Sequence, residues 1–540
     1  MRRLLALAAA FLCAAASAQA PRPEPIETGP GIAVARTTTG QVQGFRQGPV
    51  QVFRGIPYAR AQRFMAPQPA APWQGVRRTL AYGKVCPVGD PEPAFEELRF
   101  IAQHTWGEQD EDCLNLNVWA PAAPAATPRP VMVWFHGGAF SVGSSRESAT
   151  YDGGALAARG DVVVVTVNHR LNVLGFLDLS DHGPGFADAA NAGLLDLVAA
   201  LRWVRANAAA FGGDAGNVTI FGESGGAAKA YALMSAPAAK GLFHKAILQS
   251  NYRSSFLPRD TSRRVAGAVL AKLGLDASRA SELRRLPYSR LKAAADAAMR
   301  DLDRALRAEG AYRDPLPFSW MPTIDGRFLP WQLGHPEAVA LSAQVPVIVG
   351  STLNEFALAQ RPRELRGATP AVVEAFLRDR HGERWPEVLA AFRAAYPEAA
   401  PADLLDLDTD FRAAALEIAR RRAQAGAAPT YVYLFTWASP VLGGFFKSSH
   451  AMDLAFTFDN VHRAVEATGG SEAAYRLAGR MAGAWARFAH TGRPAAPGWP
   501  DWPAFSGPGG ATMRLDDAAH VQQAHDHRLM DLLRTPSPRP

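Results

Sequence analysis

A serine flanked by glycines has the setting that most clearly suggests chemistry. Residues 218–226 read VTIFGESGG, so Ser224 stands in a G-x-S-x-G pattern between an apolar run and a predicted helix that reaches about Met234. Small residues at Gly222 and Gly226 let a strand and a helix approach closely across a tight turn, which lifts the serine hydroxyl above the edge of a sheet. The helix N-terminus behind the turn favours developing negative charge. The pattern predicts a nucleophilic serine; a serine that only caps a helix in a Gly-rich turn is the alternative.

A serine hydroxyl is a poor nucleophile at neutral pH, so it needs a base to take its proton and an acid to orient that base. For this kind of turn the chain order is serine, acid, histidine. Glu355 follows the predicted strand 345–350, and His450 follows the predicted strand 431–436. Both lie on predicted loops past strand ends, so we assign Glu355 as the acid and His450 as the base. A histidine base predicts activity that falls on the acid side with an apparent pKa of about 6–7.

Other histidines and acids compete for these two roles. His136 precedes the serine, which is the wrong chain order, and His490 lies on a predicted long helix. Asp325 lies in a predicted turn, and Asp453 follows His450 by only three residues. The remaining histidines that compete lie in a polar C-terminal stretch: His520, His525 and His527.

A second glycine-rich turn is predicted to supply an oxyanion hole. Residues 136–140 read HGGAF and follow the predicted strand 131–135. Consecutive small residues let backbone N–H groups point at a ligand, and each such donor contributes about 3–4 kcal/mol to a tetrahedral transition state. An ordinary Gly-rich turn is the alternative.

Short, dense apolar runs predict the strands of a parallel sheet that is buried on both faces. They lie at 131–135, 162–167, 218–221, 244–249, 345–350 and 431–436. Helical patterns separate them, that of 189–210 being the clearest, and strands that alternate with helices indicate an α/β fold. Short antiparallel strands are predicted at 34–43 and 50–53.

The helical patterns also suggest how the chain is organised. Charged amphipathic helices at 260–273 and 289–308 indicate a helical insertion at about 253–345, and a second insertion is predicted at about 370–425. A long C-terminal helix is predicted at 472–490. The predicted division is a signal peptide at 1–18, a linker-like lead at 19–33, one domain at 34–534 and a disordered tail at 535–540.

Longer motifs resemble the type-B carboxylesterase/cholinesterase family over most of residues 34–515. They are GIPYA at 55–59, EDCLNLNVW at 111–119, HGGAF at 136–140, YDGGALA at 151–157, VNHRLNVLGFL at 167–177, the run from 192 to 226, and AILQS at 246–250. The resemblance implies an α/β-hydrolase fold, with a mostly parallel central sheet, helices on both faces and helical cap insertions. It also implies hydrolysis of carboxylic esters through an acyl-enzyme intermediate.

The resemblance implies roles for individual residues. It agrees with Ser224 as nucleophile, Glu355 as acid and His450 as base. It further implies backbone oxyanion donors and two polar neighbours of the triad. The donors are Gly138, Ala139 and Gly225; the polar neighbours are Glu223 and Ser250.

The sequence departs from the family pattern in places. Both residues after Ser224 are glycine, where relatives usually have alanine and then glycine. Lys229 stands where a small residue is common, His169 replaces a usual tyrosine, and Phe356 replaces a usual glycine. No departure removes a catalytic group, but Lys229 and Phe356 could reshape the pocket.

The first twenty residues predict export. They read MRRLLALAAAFLCAAASAQA, in which two arginines precede an apolar run and small residues follow. This is the layout of a secretory signal peptide, with cleavage after Ala18 or, less favourably, after Ala20. A membrane anchor is the alternative, although the run is short for a span of roughly 20 residues. The predicted location is secreted or periplasmic.

Two cysteines remain once that segment has been removed. Cys86 and Cys113 are an even pair in an oxidising compartment, which predicts a disulfide, with two separate buried thiols as the alternative. The same pair matches the first disulfide of the family that the sequence resembles.

Composition limits the classes of partner. The 540 residues are 48% hydrophobic and 20% charged, which is typical of a globular protein rather than of a disordered chain. The net charge of +7 comes from scattered basic residues, so no nucleic-acid partner is expected. No metal-binding or phosphate-binding motif is found, and no cofactor is expected. A small-molecule ester is the expected partner, with no stable membrane anchor and no obligate protein partner.

Two other functions stay open. One is a catalytically inactive binding protein of the same fold, which the intact set of Ser224, Glu355 and His450 disfavours. The other is a serine hydrolase that prefers an amide or a long-chain lipid ester, which uses the same chemistry. Trp106, between the two cysteines, raises the question of choline esters, but its spacing differs from the cholinesterase pattern.

Overall fold

The computed structural model describes residues 24–91, 98–101, 103–253, 255–312, 317–360, 365 and 368–534. The predicted signal peptide at 1–18 and the predicted tail at 535–540 lie outside these ranges. Within the described ranges, no helix combines the length and the apolar character needed to cross a membrane.

A sheet of twelve strands forms the centre of the described chain. In chain order the strands are β1 (Ile26–Glu27), β2 (Phe45–Gln47), β3 (Val50–Pro57), β4 (Asn115–Pro121), β5 (Arg129–Phe135), β6 (Val163–Val167), β7 (Gly213–Glu223), β8 (Lys245–Gln249), β9 (Val347–Thr352), β10 (Thr430–Phe435), β11 (Ala511–Leu515) and β12 (His520–Gln523). Their order across the sheet is β1-β2-β3-β4-β6-β5-β7-β8-β9-β10-β11-β12. The strands from β6 to β11 in this order are parallel, and the outer pairs are antiparallel.

Both faces of the sheet are buried, as the dense apolar runs predict. In β5, Val131, Val133 and Phe135 pack into one hydrophobic core, while Met132 and Trp134 pack into a second core on the other face. Successive side chains of a strand point to opposite faces, so a strand covered on both sides must be apolar at every position.

Nine α-helices of eight residues or more are present in the described ranges. They are α1 (Ala192–Asn207), α2 (Gly225–Met234), α3 (Arg259–Lys272), α4 (Tyr288–Ala308), α5 (Pro370–His381), α6 (Trp385–Ala395), α7 (Phe411–Gln424), α8 (Glu472–Thr491) and α9 (His527–Arg534). Shorter α-helices lie at Leu98–Ile101, Gly154–Gly160, Asn172–Phe176, Pro336–Leu341, Ala357–Gln360, Leu454–Thr457 and Val465–Thr468. Helices α1 and α2 pack on one face of the sheet, and α8 packs on the other.

The ends of α8 follow from its sequence. The hydroxyl of Ser471 accepts a hydrogen bond from the backbone N–H of Ala474 at 3.2 Å, which satisfies one of the first-turn donors. Gly492, with φ of 74°, ends the helix in the left-handed conformation that glycine adopts most easily. The predicted helix at 472–490 is confirmed, and the predicted helices at 260–273 and 289–308 correspond to α3 and α4.

Smaller strands lie outside the central sheet. Val34–Thr37, Gly40–Gln43 and Val76–Arg78 form a three-stranded sheet, and two pairs form two-stranded sheets: Ala59–Arg60 with Gln68–Pro69, and Leu257–Pro258 with Thr323–Ile324. The predicted domain boundaries stay a prediction, although Ile26–Glu27, within the predicted lead at 19–33, forms the edge strand β1.

Cys86 and Cys113 form a disulfide, with their Cα atoms 4.9 Å apart. Both residues are buried. Beside the bridge, the N–H of Val85 donates to the carbonyl of Glu108, and the N–H of Asp110 donates to the carbonyl of Val85. The bridge and these hydrogen bonds therefore join the two ends of the loop to each other. The α/β prediction and the predicted disulfide are confirmed.

Candidate active site

Ser224 lies at the sharp turn between β7 and α2. Its backbone has φ of 55° and ψ of −121°, which a residue other than glycine rarely adopts. Its N–H donates to the carbonyl of Gln249 at the end of β8, at 2.9 Å. A Cβ atom on Gly226 would lie 1.9 Å from the carbonyl oxygen of Phe135, so only glycine lets α2 start this close to β5. The turn places Ser224 at the carboxyl ends of the adjacent strands β5, β7 and β8.

Backbone strain is concentrated around this serine. Four non-glycine residues of the predicted site have positive φ: Ala139 (51°), Ser224 (55°), Ser250 (51°) and Glu355 (38°). Such conformations cost free energy and persist only where the surrounding structure imposes them, and they tend to occur at functional sites.

The carboxylate of Glu355 is held by three donors. Oε2 makes a short hydrogen bond to Nδ1 of His450. Oε1 accepts from the hydroxyl of Ser250 at 2.6 Å and from the backbone N–H of Thr352 at 2.8 Å. Because both oxygens are used, the carboxylate has a fixed orientation, and it orients the imidazole in turn.

The loop that carries His450 is joined to the loop that carries Glu355. The N–H of His450 donates to the carbonyl of Glu355 at 3.0 Å, and Asn354 exchanges two hydrogen bonds with Ser448. Phe356 packs on the imidazole, with ring centroids 4.0 Å apart. The histidine is therefore positioned by backbone pairing as well as by its acid.

Glu223 contacts the other nitrogen of the same imidazole. Its Oε1 lies 3.1 Å from Nε2 of His450, and both side chains are buried. Among the residues that the structure describes, Ser224 and His450 share no hydrogen bond. The residue next to the candidate nucleophile thus lies beside the nitrogen that would accept the serine proton, without forming a hydrogen bond to it.

The charge balance of this cluster raises two pKa values. Burial lowers the pKa of His450, but the carboxylates of Glu223 and Glu355 outweigh this effect and raise it to about 9. Burial raises the pKa of Glu223 to about 8, against the opposing influence of His450. The imidazole therefore keeps its proton to a higher pH than an ordinary histidine.

The predicted oxyanion loop lies against the start of α2. A Cβ atom on Gly225 would lie 2.5 Å from the nitrogen and 2.3 Å from the carbonyl oxygen of Ala139. In the described chain, no hydrogen bond uses the N–H of Gly138 or of Ala139. The N–H of Gly225 belongs to the first turn of its helix, where no intrahelical acceptor exists. The three predicted donors are available to a ligand beside Ser224.

The rival residues have other partners. Asp453 accepts from the side chains of Gln249 and Tyr433, at 2.9 Å and 3.0 Å. Asp325 caps a turn by accepting from three consecutive backbone N–H groups that begin at Arg327. His490 is exposed and hydrogen-bonds to the carbonyl of Gly160.

Sequence reasoning missed several neighbours of the site. Phe411, at the start of α7, packs against His450 with centroids 5.2 Å apart, and Tyr252 packs on Phe411. Lys229, identified in the sequence only as a departure, is buried behind the oxyanion loop. An aromatic residue at a helix start has many possible partners, so no sequence signal could have placed Phe411 here.

The chain matches the family model described as the carboxylesterase family over residues 32–532. The chain belongs to the carboxylesterase family. It is 34% identical over 496 residues to the para-nitrobenzyl esterase of Bacillus subtilis (strain 168), covering 91% of this chain and 96% of that protein. It is 35% identical over 498 residues to carboxylesterase 5A of Felis catus, covering 85% of each chain.

A solved structure supports the same family. It is described as an esterase from anaerobic Clostridium hathewayi that can hydrolyse aliphatic aromatic polyesters; its sequence is 37% identical, the TM-score is 0.83, and 95% of this chain and 99% of that chain are covered. The α/β-hydrolase fold expected from the sequence is confirmed, and so is the assignment of this carboxylesterase as an enzyme that hydrolyses carboxylic esters.

Proposed function

We propose that this carboxylesterase is an exported serine esterase, which hydrolyses carboxylic esters through an acyl-enzyme formed on Ser224. The observation that carries the proposal is the grouping of Ser224 with His450, whose Nδ1 atom is hydrogen-bonded to Glu355, at the carboxyl ends of adjacent parallel strands. The free N–H groups of Gly138 and Ala139 beside that serine support it further.

The first half-reaction transfers the acyl group to the enzyme. Substrate binding brings Nε2 of His450 within hydrogen-bond distance of the hydroxyl of Ser224, since catalytic hydrogen bonds often tighten only in the complex. The serine oxygen attacks the ester carbonyl carbon as Nε2 takes its proton, and the carbonyl oxygen becomes an oxyanion. His450 then gives the proton to the leaving alcohol as the carbon–oxygen bond breaks, and the acyl group stays on Ser224.

The second half-reaction uses water in place of the alcohol. His450 takes a proton from a water molecule whose oxygen attacks the acyl carbon, and then returns the proton to Ser224 as the carboxylic acid leaves. The carboxylate of Glu355 stabilises the imidazolium in both halves. The N–H groups of Gly138, Ala139 and Gly225 stabilise each oxyanion.

The site accepts esters of small molecules, with aromatic side chains on one side. Phe356, Phe411 and Tyr252 form a connected group of rings beside His450. This group supports binding of an apolar or aromatic part of the ester, because stacked rings add attraction to their buried area. The name of the relative from Bacillus subtilis makes para-nitrobenzyl esters suitable test substrates.

Export is part of the proposal. The first twenty residues have the layout of a signal peptide, and the bridge between Cys86 and Cys113 is favoured in an oxidising compartment.

The experiment compares wild type with Ser224→Ala on short p-nitrophenyl and p-nitrobenzyl esters. Wild type is expected to show a burst of alcohol release, and Ser224→Ala is expected to lose at least about 10³-fold in kcat while remaining folded. Ser235→Ala is the matched control, because Ser235 is also buried and caps the other end of α2.

Two outcomes distinguish the alternatives. No turnover of any ester by folded wild type contradicts the proposal and favours the inactive binding protein. Turnover of amides or long-chain lipid esters at a higher kcat/KM than short esters favours the other hydrolase, with Ser224 still the nucleophile.

A further inference from the structure

A lysine is completely buried behind the oxyanion loop. Lys229 lies one turn into α2, five residues after Ser224, and its side chain has no exposed surface. Taking an ammonium group out of water is costly unless its hydrogen bonds are replaced. Nζ donates to the carbonyl oxygens of His136 at 2.9 Å and of Gly137 at 3.3 Å. Both acceptors belong to the loop that carries the proposed oxyanion donors.

Backbone carbonyls, rather than a paired acid, satisfy this ammonium group. In the described chain no carboxylate oxygen lies within 4.0 Å of Nζ of Lys229. Burial lowers the pKa of Lys229 to about 7, while the more distant carboxylates of Glu147 and Glu223 raise it. Nζ also lies 5.9 Å from the ring centroid of Phe140, at the end of the same loop. The contacts of this lysine are thus directed at the loop.

Peptide geometry connects these carbonyls to the oxyanion hole. The carbonyl of Gly137 and the N–H of Gly138 belong to one planar peptide group. No cis peptide bond is present in the described chain, so the carbonyl and the N–H of this group point in opposite directions. A donor that holds the oxygen of Gly137 therefore fixes the direction of the N–H of Gly138. It also polarises that N–H and strengthens it as a donor.

A second donor holds the same oxygen. Nδ1 of His136 lies 3.0 Å from the carbonyl oxygen of Gly137, and because that oxygen can only accept, Nδ1 carries the proton. Burial, followed by the charge of Lys229, keeps the pKa of His136 well below its usual range, so this ring is neutral. His169 stacks on it with centroids 4.9 Å apart and fills the space behind it.

We propose that Lys229 is a positioning residue of the oxyanion hole. Its ammonium group donates hydrogen bonds to the carbonyls of His136 and Gly137, and this orients the N–H of Gly138 towards the ester oxygen. This inference rests on the proposed serine esterase function. The lysine contributes most in the tetrahedral transition state, where the oxyanion is fully developed, and little in the substrate complex.

The test replaces Lys229 with methionine, which has a similar length and no donor. Lys229→Met is expected to lower kcat by about 10- to 100-fold, less than the roughly 10²–10³-fold of a deleted oxyanion donor, with KM changed less than about threefold. Affinity for a trifluoromethyl ketone, whose adduct with serine carries an oxyanion, should fall in parallel with kcat/KM. Thermal stability should be equal or higher, because a buried charge has been removed.

Two further variants make the result specific. Lys229→Gln keeps an N–H donor at this position, so its kcat should lie between those of wild type and Lys229→Met. If the methionine variant does not fold, the glutamine variant carries the same comparison. Lys245→Met is the matched control, because this half-buried lysine is the first residue of β8 and hydrogen-bonds Asn217 of β7, far along both strands from Ser224. Its kcat should stay within about twofold of wild type.

The outcomes separate this inference from the proposed function. Folded Lys229→Met or Lys229→Gln with the kcat and ketone affinity of wild type overturns the role of Lys229 and leaves the esterase proposal standing. A fall in kcat that equals a fall in folded fraction, at unchanged ketone affinity, also overturns it. Wild type without ester turnover overturns the proposed function instead.

Discussion

At the scale of single residues, His450 stands between two carboxylates with different effects. Glu355 hydrogen-bonds Nδ1 and orients the ring, whereas Oε1 of Glu223 lies 3.1 Å from Nε2 without hydrogen-bonding it and acts on the ring through its charge. Both negative groups favour the imidazolium, and a base must be neutral to accept a proton. The sequence alone predicts that activity falls on the acid side with an apparent pKa of about 6–7. The two carboxylates beside His450 lead us to expect a higher apparent pKa.

Replacement of Glu223 with glutamine tests this account. A pKa of His450 raised above its ordinary value means that activity is lost as pH falls through that higher value. Glu223→Gln removes one anion, so the acid limb of kcat/KM should move down by about 1 to 3 units, and activity at pH 6 relative to the plateau should rise. The measurement is a pH profile of kcat/KM.

A second buried acid provides the control for that profile. Glu147 accepts from the N–H of Ser144 and from the hydroxyl of Tyr151, and it does not contact His450. Glu147→Gln should leave the acid limb where it is. An unchanged or higher acid limb in Glu223→Gln would refute the role given to Glu223.

The sequence indicates which residues the fold brings to the candidate site better than it indicates their contacts. Ser224, Glu355 and His450 can be predicted because each follows a strand end in a fixed chain order. The contact between Glu223 and Nε2, and the hydrogen bonds of Lys229, cannot be predicted. They depend on side-chain directions set by the packing of β7 and α2 against loops more than ninety residues away in sequence.

At the scale of elements, the disulfide connects the lead-in to β4 with the oxyanion loop. Pro87, next to Cys86, accepts from the side chain of Asn172 at 2.9 Å, and the N–H of Asn172 donates to the carbonyl of Phe140 at 2.8 Å. The bridge thus supports the site through one intermediate residue, although it contains no catalytic group.

Removing the bridge should lower stability and leave the chemistry in place. It closes a loop of 27 residues, for which the chain-entropy model gives roughly 3–4 kcal/mol. The variant Cys86→Ala/Cys113→Ala should unfold at lower denaturant by that free energy, with measurable ester turnover in its folded fraction. Protein recovered from an exported fraction should begin at Gln19 and contain no free thiol; two thiols open to alkylation in folded, oxidised protein would rule out the bridge in solution.

Element positions follow from the sequence where burial dictates the pattern. The strands from β5 to β10 each contain a short, dense apolar run where both faces are covered, and these runs are recognisable in the sequence; the polar start of β7, residues 213–217, is not. The sequence does not reveal that Ile26–Glu27 pairs with Phe45–Gln47. Ile26 and Glu27 are both exposed, and an exposed edge strand of two residues has no apolar pattern.

At the scale of the whole molecule, a buried ion pair joins the second insertion to the C-terminal region. Arg412 of α7 donates to the carboxylate of Asp526, which immediately precedes α9, and to the hydroxyl of Thr512 on β11 at 2.9 Å. Tyr396 donates to the same carboxylate at 3.2 Å. Arg412 follows Phe411, so the pair also anchors one aromatic residue beside His450.

Breaking this pair should destabilise the protein strongly. Asp526→Asn leaves the buried guanidinium of Arg412 without a counter-charge, which typically costs 3–5 kcal/mol, roughly. Asp531→Asn is the control. Asp531 pairs with Arg420, but more than half of the Asp531 side chain is exposed, so this ion pair should contribute at most about 1 kcal/mol. Denaturant unfolding at pH 7 measures both.

The same pair gives stability a defined pH dependence. Burial alone would raise the pKa of Asp526, but Arg412 outweighs burial and holds it at about 2. Because the pKa is lower in the folded state than the roughly 3.9 of an unfolded chain, the stabilisation is present above about pH 4 and is lost between about pH 4 and pH 2. Asp526→Asn should lack this part of the acid sensitivity; an equal loss of stability over that range in both proteins would contradict the assignment.

The central claim is that Ser224 forms the acyl-enzyme, and a covalent label tests it most directly. A fluorophosphonate ester reacts with a serine that its own site has activated, and mass spectrometry of the digested protein locates the adduct. We expect one adduct per chain, on the peptide containing Ser224, and almost none in His450→Ala, because the base that activates the serine is gone. An adduct on any other serine, or equal labelling of Ser224 in His450→Ala, would contradict the account.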